Sequence, residues 1–338
     1  MQTTKKLKIE KENKKENKKE TPKENPKNLI YYVLNGDENR TKKLLSQNTN
    51  PNIQDEQKAT PLIYACFRVH KNIVSLLLSS NANPDIQDDA GDTALSISCK
   101  IDRNKEIISL LLSSNANPNI QDNSGRTALF WPCMYGNKEI VSLLLSKNAD
   151  PNIRDKKGRT ALMIACKYVS EDIVSLLLSK NADPNIKDEM GNTALIFASG
   201  FCHKDIVSLL LSKNADPNIR NRKGTTALIK SCRNGDIDSD SSKEIVSLLL
   251  SKNADPDIKD KYEMDALTYV YDYWEYTWGC DEVIYMLKFS KYKKDSIPKK
   301  ILLLCCRKFC EDSVWFYFPL DILKCIFDIY REEFFEWI

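Results

Sequence analysis

Apolar residues recur along the chain in one short pattern, Ser-Leu-Leu-Leu-Ser preceded by two aliphatic residues. The pattern begins at Ser75, Ser109, Ser142, Ser175, Ser208 and Ser247. The steps between these serines are 34, 33, 33, 33 and 39 residues. A nearly fixed period of this size is typical of a solenoid, in which every copy is one supersecondary unit that stacks on its neighbours.

The copy that begins at Thr160 shows which elements each unit is expected to form. Thr160 can cap a short first helix, in which Leu162 and Met163 begin the apolar positions at helical spacing. The second helix has an apolar stripe too wide for one exposed face, so neighbouring copies are expected to cover it on both sides. That stripe comprises Ile173, Val174, Leu176, Leu177 and Leu178.

Polar and turn-forming residues separate the second helix from the next copy. Asn181 tolerates the left-handed backbone conformation in which many helices end. Asp183-Pro184-Asn185, Asp188 and Gly191 then supply the turn residues of a hairpin-like loop that leads to Thr193. Each unit is therefore predicted to be helix, turn, helix and extended loop.

These units resemble ankyrin repeats, which read D-x-x-G-x-T-P-L-H-x-A and end in I-V-x-L-L-L-x-x-G-A-D-x-N. In one copy the resemblance is carried by Asp155-Lys156-Lys157-Gly158-Arg159-Thr160-Ala161-Leu162. It extends over residues 29–287 and implies an all-α solenoid of antiparallel helix pairs with projecting hairpin loops. It also implies that the concave face and the hairpin tips bind another protein.

The chain departs from the family pattern at two positions. The family's proline is kept only in Thr60-Pro61-Leu62, and its histidine is absent from every copy. The residues at the histidine position are Ile63, Ser96, Phe130, Met163, Ile196 and Ile229. Loss of the hydrogen bonds that this histidine makes predicts units that are individually weaker and depend more on stacking.

Composition divides the chain into three segments. Residues 1–27 are rich in Lys, Glu and Asn and predict a disordered tail. They hold ten Lys and five Glu, a net charge of +5, which leaves −2 for the rest of a chain whose formal charge is +3. Residues 28–288 are expected to form the repeat array, with about eight helix pairs of which the first and the last are degenerate. Residues 289–338 are expected to form a small helical C-terminal segment.

Three local features interrupt the regular pattern. Pro132 lies inside the expected first helix of the Thr127 copy, where the loss of a backbone hydrogen bond should kink or shorten the helix. The Thr226 copy contains an insertion, residues 234–242, whose composition predicts a flexible surface loop rather than a calcium site. The dense aromatic run at 269–278 is expected to form a hydrophobic lid at the end of the array, with an exposed recognition surface as the alternative.

The cysteines and histidines are expected to be structural. Of the eleven cysteines, five share the position six residues after the capping threonine: Cys66, Cys99, Cys133, Cys166 and Cys232. The family has a small residue there between packed helices, so small buried hydrophobes are expected rather than metal ligands. His70 and His203 fall in turns between helices and are expected to be exposed. No cofactor and no metal are expected.

Residues 318–327 predict a helix with a proline in its first turn and resemble the start of an F-box. An ankyrin array followed by a truncated F-box is also the arrangement of poxviral host-range proteins, a PRANC-like segment. The resemblance implies contacts with a Skp-type subunit of a cullin ubiquitin ligase through Pro319, Leu320, Ile322, Leu323 and Ile326. Two alternatives stay open: these helices only cap the solenoid, or residues 302–310 begin a box similar to that of suppressors of cytokine signalling.

A binding protein rather than an enzyme is expected, because the sequence shows no Gly-rich phosphate loop, no His-Glu zinc pair and no nucleophile with a credible histidine partner. The residue after each hairpin isoleucine forms a row that changes from neutral to basic: Gln54, Gln87, Gln121, Arg154, Lys187, Arg220 and Lys259. Beside this row lie Lys156, Lys157, Arg159, Arg222 and Lys223, and the first helices carry Phe67, Met134, Tyr135, Tyr168 and Phe201. A protein with an acidic, partly apolar surface would be complementary, and a merely solvated basic face is the alternative.

Three functional hypotheses follow. The first is a protein-binding module, in its specific form a substrate adaptor of a cullin ubiquitin ligase. The second is a structural scaffold without ligase recruitment, and the third is nucleic-acid binding through the basic row and the tail, which steep salt dependence would reveal. No apolar run resembles a signal peptide or spans a bilayer. A cytoplasmic protein is therefore expected, with nuclear entry as an alternative, and with a host cell as the setting if the source is a virus or an intracellular bacterium.

Overall fold

The computed structural model describes residues 29–101, 105–168, 170–234, 240–274, 283–288 and 290. In these ranges the regular elements are helices. The tail at 1–27, the F-box-like segment at 318–327 and the aromatic run beyond residue 274 lie outside them, so what we expect of those segments stays a prediction.

Consecutive helices form pairs, and the pairs stack in chain order. The first helices of the pairs are α1 (Leu29–Leu34), α3 (Pro61–Phe67), α5 (Ala94–Ile101), α7 (Phe130–Tyr135), α9 (Ala161–Lys167), α11 (Ala194–Gly200), α13 (Ala227–Asn234) and α15 (Ala266–Trp274). The second helices are α2 (Glu38–Ser46), α4 (Lys71–Ser79), α6 (Lys105–Ser113), α8 (Lys138–Ser146), α10 (Glu171–Ser179), α12 (Lys204–Ser212) and α14 (Asp240–Ser251). A further helical stretch, 283–288, follows α15. The predicted all-α solenoid is confirmed.

Threonine caps begin most of the first helices, as the sequence predicts. The Thr160 hydroxyl accepts a hydrogen bond from the Met163 backbone N–H at 3.4 Å, and equivalent bonds are made at Thr60, Thr93, Thr193 and Thr226. This bond satisfies one of the N–H groups that a helix N-terminus leaves without an intrahelical partner. In the Thr93 copy the serine at the family's histidine position adds a second bond, because the Ser96 hydroxyl accepts from the Thr93 N–H at 2.9 Å. The expected loss of polar bonds at that position therefore does not hold for this copy.

Pro132 shortens its helix from the front. Helix α7 begins three residues after Thr127, whereas α9 begins directly after Thr160. A helix that began at Ala128 would require the residue at position 132 to donate to the Ala128 carbonyl, and proline has no N–H to donate. By starting at Phe130, the helix places Pro132 in its first turn, where this donor is not needed.

Two residues after the last residue of each of these second helices, an asparagine lies in the left-handed region. These residues are Asn48, Asn81, Asn115, Asn148, Asn181, Asn214 and Asn253, all with φ close to 60°. Asparagine tolerates this conformation better than most residues other than glycine. The backbone then leaves the helix toward the hairpin loop of the next copy, as the sequence predicts from Asn181.

The second helices supply the core between copies. In α10 the side chains of Ile173, Val174 and Leu177 are almost completely buried, and Leu178 is nearly so. The residues equivalent to Ile173, Val174 and Leu177 in α4, α6, α8, α12 and α14 are also buried. Because each helix is covered by the copies on either side, the core is a continuous column rather than a single centre.

The first helices lie together on one side of the stack, which we call the inner side. First helices of neighbouring copies contact each other more extensively than second helices do, except where α7 is shortened. The hairpin loops extend this inner side and are joined by backbone hydrogen bonds. Lys156 donates to the Ser124 carbonyl, Glu189 to that of Lys157 and Arg222 to that of Met190, each at 2.9 Å.

Candidate protein-binding surface

One side of every first helix, together with the hairpin before it, lines the inner face of the stack. Four positions of each copy matter here, and we number them from the capping threonine or its equivalent. The turn position lies five residues before it, the strand position one before it, the groove position four after it and the rim position seven after it. In the Thr160 copy these are Asp155, Arg159, Ile164 and Lys167.

An aspartate at the turn position holds each hairpin in shape. The Asp155 Oδ1 atom accepts hydrogen bonds from the backbone N–H groups of Lys157 and Arg159 at 2.9 and 2.8 Å. The same arrangement is found at Asp55, Asp88, Asp122, Asp188 and Asp260, and Asn221 replaces the acid in the Thr226 copy. One carboxylate oxygen thus satisfies two donors of its own loop, which leaves the other oxygen for a partner on the inner face.

The partner of that second oxygen changes along the stack. Near the ends it is a tyrosine hydroxyl from the groove position: Tyr64 donates to Asp55 at 2.5 Å, and Tyr269 donates to Asp260 at 2.6 Å. Burial, with the Asp55 hydrogen bond as a smaller cause, raises the pKa of Tyr64. In the middle it is an arginine from the strand position, Arg126 for Asp122 and Arg159 for Asp155. The central copies therefore place cations where the terminal copies place neutral phenols.

These central cations surround a group of aromatic rings. The Arg126 guanidinium lies 4.7 Å from the centre of the Trp131 ring, and the Lys100 amine lies 5.7 Å from it. Tyr135 stacks on the same indole with 5.9 Å between ring centres. Lys100 and Arg126 are also ion-paired with Asp92 and Asp122 respectively, so they are fixed in place over the ring. Trp131 is half-buried and offers a rigid amphipathic surface, the type of residue that often dominates protein interfaces.

A line of exposed apolar side chains continues from this cluster. Tyr135, Tyr168 and Phe201 lie directly after their first helices or at their last residue, and each has between 44% and 47% of its surface exposed. Phe67 occupies the rim position of the Thr60 copy and is exposed to a similar degree. Tyr135, Tyr168 and Phe201 were predicted as partner-contacting residues, and the structure leaves all three accessible.

The basic members of the predicted row, Arg154, Lys187, Arg220 and Lys259, are exposed, but two of them also hold the scaffold together. Arg154 donates to the Gly158 carbonyl of its own hairpin at 3.2 Å, and Arg220 donates to the Lys259 carbonyl of the next copy at 2.8 Å. The glutamines at the earlier row positions make the same kind of bond, as Gln121 does to Arg154 at 2.9 Å. Lys187 is the member that makes no hydrogen bond or ion pair among the described residues.

The other predicted basic residues divide in the same way. Lys156, Lys157 and Arg222 are exposed at the hairpin tips. Arg159 is only partly exposed: it is ion-paired with Asp155 at 2.6 Å and lies over the Phe130 ring at 5.4 Å. Its charge is therefore largely compensated within the protein.

Our sequence reasoning did not find the residues at the centre of this surface: Lys100, Arg126 and Trp131. The signal is present when the copies are read as columns. In the Thr93, Thr127 and Thr160 copies the strand position is Asp92, Arg126 and Arg159. The groove position of the same copies is Ile97, Trp131 and Ile164. The Thr127 copy therefore combines a basic residue at one position with an indole at the other.

Four of the described cysteines are buried and titrate unlike free thiols. Burial raises the pKa of the Cys66 and Cys232 thiols to about 12 and also raises that of Cys133 and Cys166, which keeps these thiols protonated and unreactive. Among the described residues no cluster of His, Cys, Asp and Glu could hold a metal ion.

His203 contradicts its predicted exposure. It stacks on Phe201 with 5.9 Å between ring centres, and its Nε2 atom is buried without a hydrogen-bond partner among the described residues. Burial lowers its pKa. The turn in which it lies is covered by the next copy, where Ser242 approaches the neighbouring Cys202 at 3.5 Å.

The sequence model of the ankyrin repeats family matches the chain in three segments, residues 29–122, 98–188 and 171–260. The chain belongs to the ankyrin-repeat family. Its fold is similar to the crystal structure of the ankyrin repeat domain of Bcl-3, described as a unique member of the IkappaB protein family. That comparison has a TM-score of 0.58 and 25% sequence identity, and covers 69% of this chain and 100% of the other. A search of curated proteins finds no match.

Because the chain belongs to the ankyrin-repeat family, each position of the inner face recurs once in every repeat. Ankyrin repeats form protein–protein interaction modules, and the inner face described above is the part of such an array where exposed aromatic and charged side chains of successive repeats come together. None of the helices in the described part of the chain is long and apolar enough to cross a bilayer.

Proposed function

We propose that this ankyrin array binds a protein partner across its inner face. Trp131, with Lys100 and Arg126 against its ring, forms the centre of the surface. The exposed side chains of Tyr135, Tyr168 and Phe201 form an aromatic line beside it. The observation that carries the proposal is the fixed aromatic–cation cluster around Trp131. Arg126, Lys100 and Tyr135 all contact one half-buried indole, and ion pairs hold two of them in position. A pre-ordered set of this kind loses little side-chain entropy on binding.

The charge of the hairpin tips suggests the character of the partner. Lys156, Lys157, Lys187 and Arg222 are exposed along one edge of the aromatic line. An acidic segment beside an apolar anchor would complement this arrangement, and such charges act mainly on the rate of association. The free, buried cysteines support action in a reducing compartment such as the cytoplasm.

Site-specific photo-crosslinking tests the proposal. A photoreactive amino acid at Tyr168 faces the inner side, whereas Ser175 is exposed on the second helix of the same repeat and serves as the matched control. In the native cell the same partner should crosslink from Tyr168 and from Phe201 but not from Ser175. A partner that crosslinks only from Ser175 would place the binding surface on the outer side.

Recruitment of a cullin ubiquitin ligase is the more specific form of this function. It rests on the F-box-like residues Pro319, Leu320, Ile322, Leu323 and Ile326, which lie outside the described residues. Substitution of Leu320 and Ile322 by Asp should abolish capture of the Skp-type subunit while the photo-crosslinks from Tyr168 persist. If the unmutated protein captures no Skp-type subunit, a scaffold without ligase recruitment is the function that fits.

A further inference from the structure

The Thr226 repeat differs from the other repeats in its balance of charge. Its turn position holds Asn221, whereas the turn positions of the other repeats hold aspartate: Asp55, Asp88, Asp122, Asp155, Asp188 and Asp260. Its groove position holds Lys230, the one basic residue in a column that otherwise reads Tyr64, Ile97, Trp131, Ile164, Phe197 and Tyr269. Its rim position holds Arg233. This repeat has thus lost an acid at the turn position and gained a cation at the groove position, beside a rim cation of the kind that Lys100 and Lys167 provide in two other repeats.

These residues line a hollow of about 250 Å³ together with Met190, Asn192, Lys223 and Thr225. No carboxylate lies within ion-pairing distance of Lys223, Lys230 or Arg233 among the described residues. The central repeats are different, because there Lys100, Arg126 and Arg159 are each paired with an aspartate. Within the part of the chain that the structure describes, the positive charge of the hollow is therefore uncompensated, whereas that of the Trp131 cluster is paired.

The protein holds the two deeper cations in place. A Cβ atom on Gly200 would lie only 2.7 Å from Cε of Lys230, so the glycine at the rim position of the preceding repeat makes room for the lysine side chain. The Arg233 guanidinium lies 5.7 Å from the centre of the Tyr269 ring, and that phenol is fixed by its bond to Asp260. Burial, with the charges of Arg233 and Lys223 as further causes, lowers the pKa of Lys230. Cations that repel one another in a partly buried hollow are stabilised by an anion.

We propose that this hollow is a subsite for one anionic side chain, a carboxylate or a phosphoryl group, on a protein segment bound to the inner face. Drug-sized molecules occupy pockets of roughly 300–1,000 Å³. The hollow is smaller than this, at about 250 Å³, and suits a single side chain. Asn192 and Asn221 are uncharged, and the Asn221 amide donates to the Asn192 Oδ1 atom at 2.8 Å, so the charge of the hollow comes from Lys223, Lys230 and Arg233. This inference rests on the proposed binding of a protein segment to the inner face and specifies one of its contacts.

The test uses three capped alanine pentapeptides whose central residue is glutamate, phosphoserine or glutamine. NMR titration of the isotope-labelled full chain reports where each peptide binds. The glutamate and phosphoserine peptides should shift the amide signals of residues 221–233 in a saturable manner, and the glutamine peptide should not. If the phosphoserine peptide binds with higher affinity, a phosphoryl group is the preferred anion. If the two charged peptides bind with equal affinity, a carboxylate is sufficient.

Two sets of variants separate the subsite from general surface charge. The pair Lys230→Met and Arg233→Met should weaken binding of the charged peptides about tenfold or more. The control pair Lys213→Met and Lys252→Met removes the same charge from exposed positions that follow the second helices and should leave binding nearly unchanged. Gly200→Ala keeps every charge but displaces Lys230, so it should also weaken binding without lowering the melting temperature.

The outcomes distinguish this inference from the proposed function. Equal weakening by the control pair, equal response to the glutamine peptide, or no saturable shift at residues 221–233 would overturn the subsite. If that happens while the inner-face crosslinks from Tyr168 persist, the binding function stands without this contact. If the charged peptides bind the hollow but no partner crosslinks from Tyr168, the subsite stands and the proposed function fails.

Discussion

The Arg159 guanidinium lies 5.4 Å from the centre of the Phe130 ring while its Nη2 atom donates to Asp155 at 2.6 Å. Arg159 precedes the first helix of the Thr160 repeat, and Phe130 begins the first helix of the repeat before it. One side chain thus closes its own hairpin and covers its neighbour. Phe130 also occupies the position of the ankyrin family's histidine. At this position the repeat therefore has a cation–ring contact with the next repeat in place of the hydrogen bonds that the histidine makes.

Replacing Arg159 by Lys should loosen this hairpin although the charge is kept. Lysine cannot supply the two bonds that Nε and Nη2 make to Asp155, and it stacks less well on an aromatic ring. We expect a loss of about 1 kcal/mol in local stability. Hydrogen exchange of the amides at 155–159 measures it, and Lys156→Arg at an exposed tip position is the control. Unchanged protection in the Arg159 variant would show that the contact is not stabilising.

Leu177 provides a test of the repeat core. Its side chain is completely buried between repeats, and Leu177→Ala should cost about 2–5 kcal/mol because a cavity is left in a packed interior. Because repeats contact only their neighbours, the array should open first around α10. Urea unfolding followed by hydrogen exchange of individual amides gives both the magnitude and the place. Leu176→Ala, at a half-buried position of the same helix, should cost less, and equal losses in the two variants would argue against this assignment of faces.

His203 should make stability depend on pH below the ordinary histidine pKa of about 6.5. Its pKa is lowered by burial, so the folded state binds a proton less readily than the unfolded state. As the pH falls below the unfolded value of about 6.5, the unfolded chain takes up a proton first and the free energy of unfolding decreases. The decrease continues until the pH passes the folded pKa, at no more than about 1.4 kcal/mol per pH unit for this one group. His203→Gln removes this contribution, and parallel slopes for the two proteins in urea unfolding at a series of pH values would contradict the prediction.

Features that depend on one repeat alone were predictable from the sequence. Thr193 caps its helix and Asn181 takes the left-handed conformation because these preferences are local and repeat every 33 residues. Leu177 was assigned to the core because the apolar stripe shows which side of the helix is covered. The shortening at Pro132 followed from the missing N–H of proline.

Features that depend on side chains from two or three repeats were not predictable in this manner. Lys230 crosses Gly200, which is 30 residues away in the sequence, and nothing in either local segment indicates that contact. His203 was expected to be exposed because it lies in a turn, but its Nε2 atom is buried. Arg220 was expected to be a free surface charge, but it donates to the Lys259 carbonyl of the next repeat. These contacts depend on how one repeat packs on the next, so they cannot be predicted from the sequence of a single repeat.

The last prediction concerns the basic row and uses this difference between free and bonded members. Lys187 has no partner among the described residues, whereas Arg220 donates to the Lys259 carbonyl of the next repeat at 2.8 Å. If the row attracts an acidic partner, Lys187→Glu should slow association with the partner identified by crosslinking, leave dissociation nearly unchanged and preserve the melting temperature, because exposed charges mainly steer encounter. Arg220→Glu should slow association to a similar extent and also weaken the junction between two hairpins, which lowers the melting temperature. Surface plasmon resonance at low and high salt, read beside thermal unfolding, measures both effects, and the slowing should diminish as salt screens the charges. If Lys187→Glu leaves the association rate unchanged at low salt, the row is only a solvated face. The partner would then be held by Trp131 and the aromatic line without help from the hairpin charges.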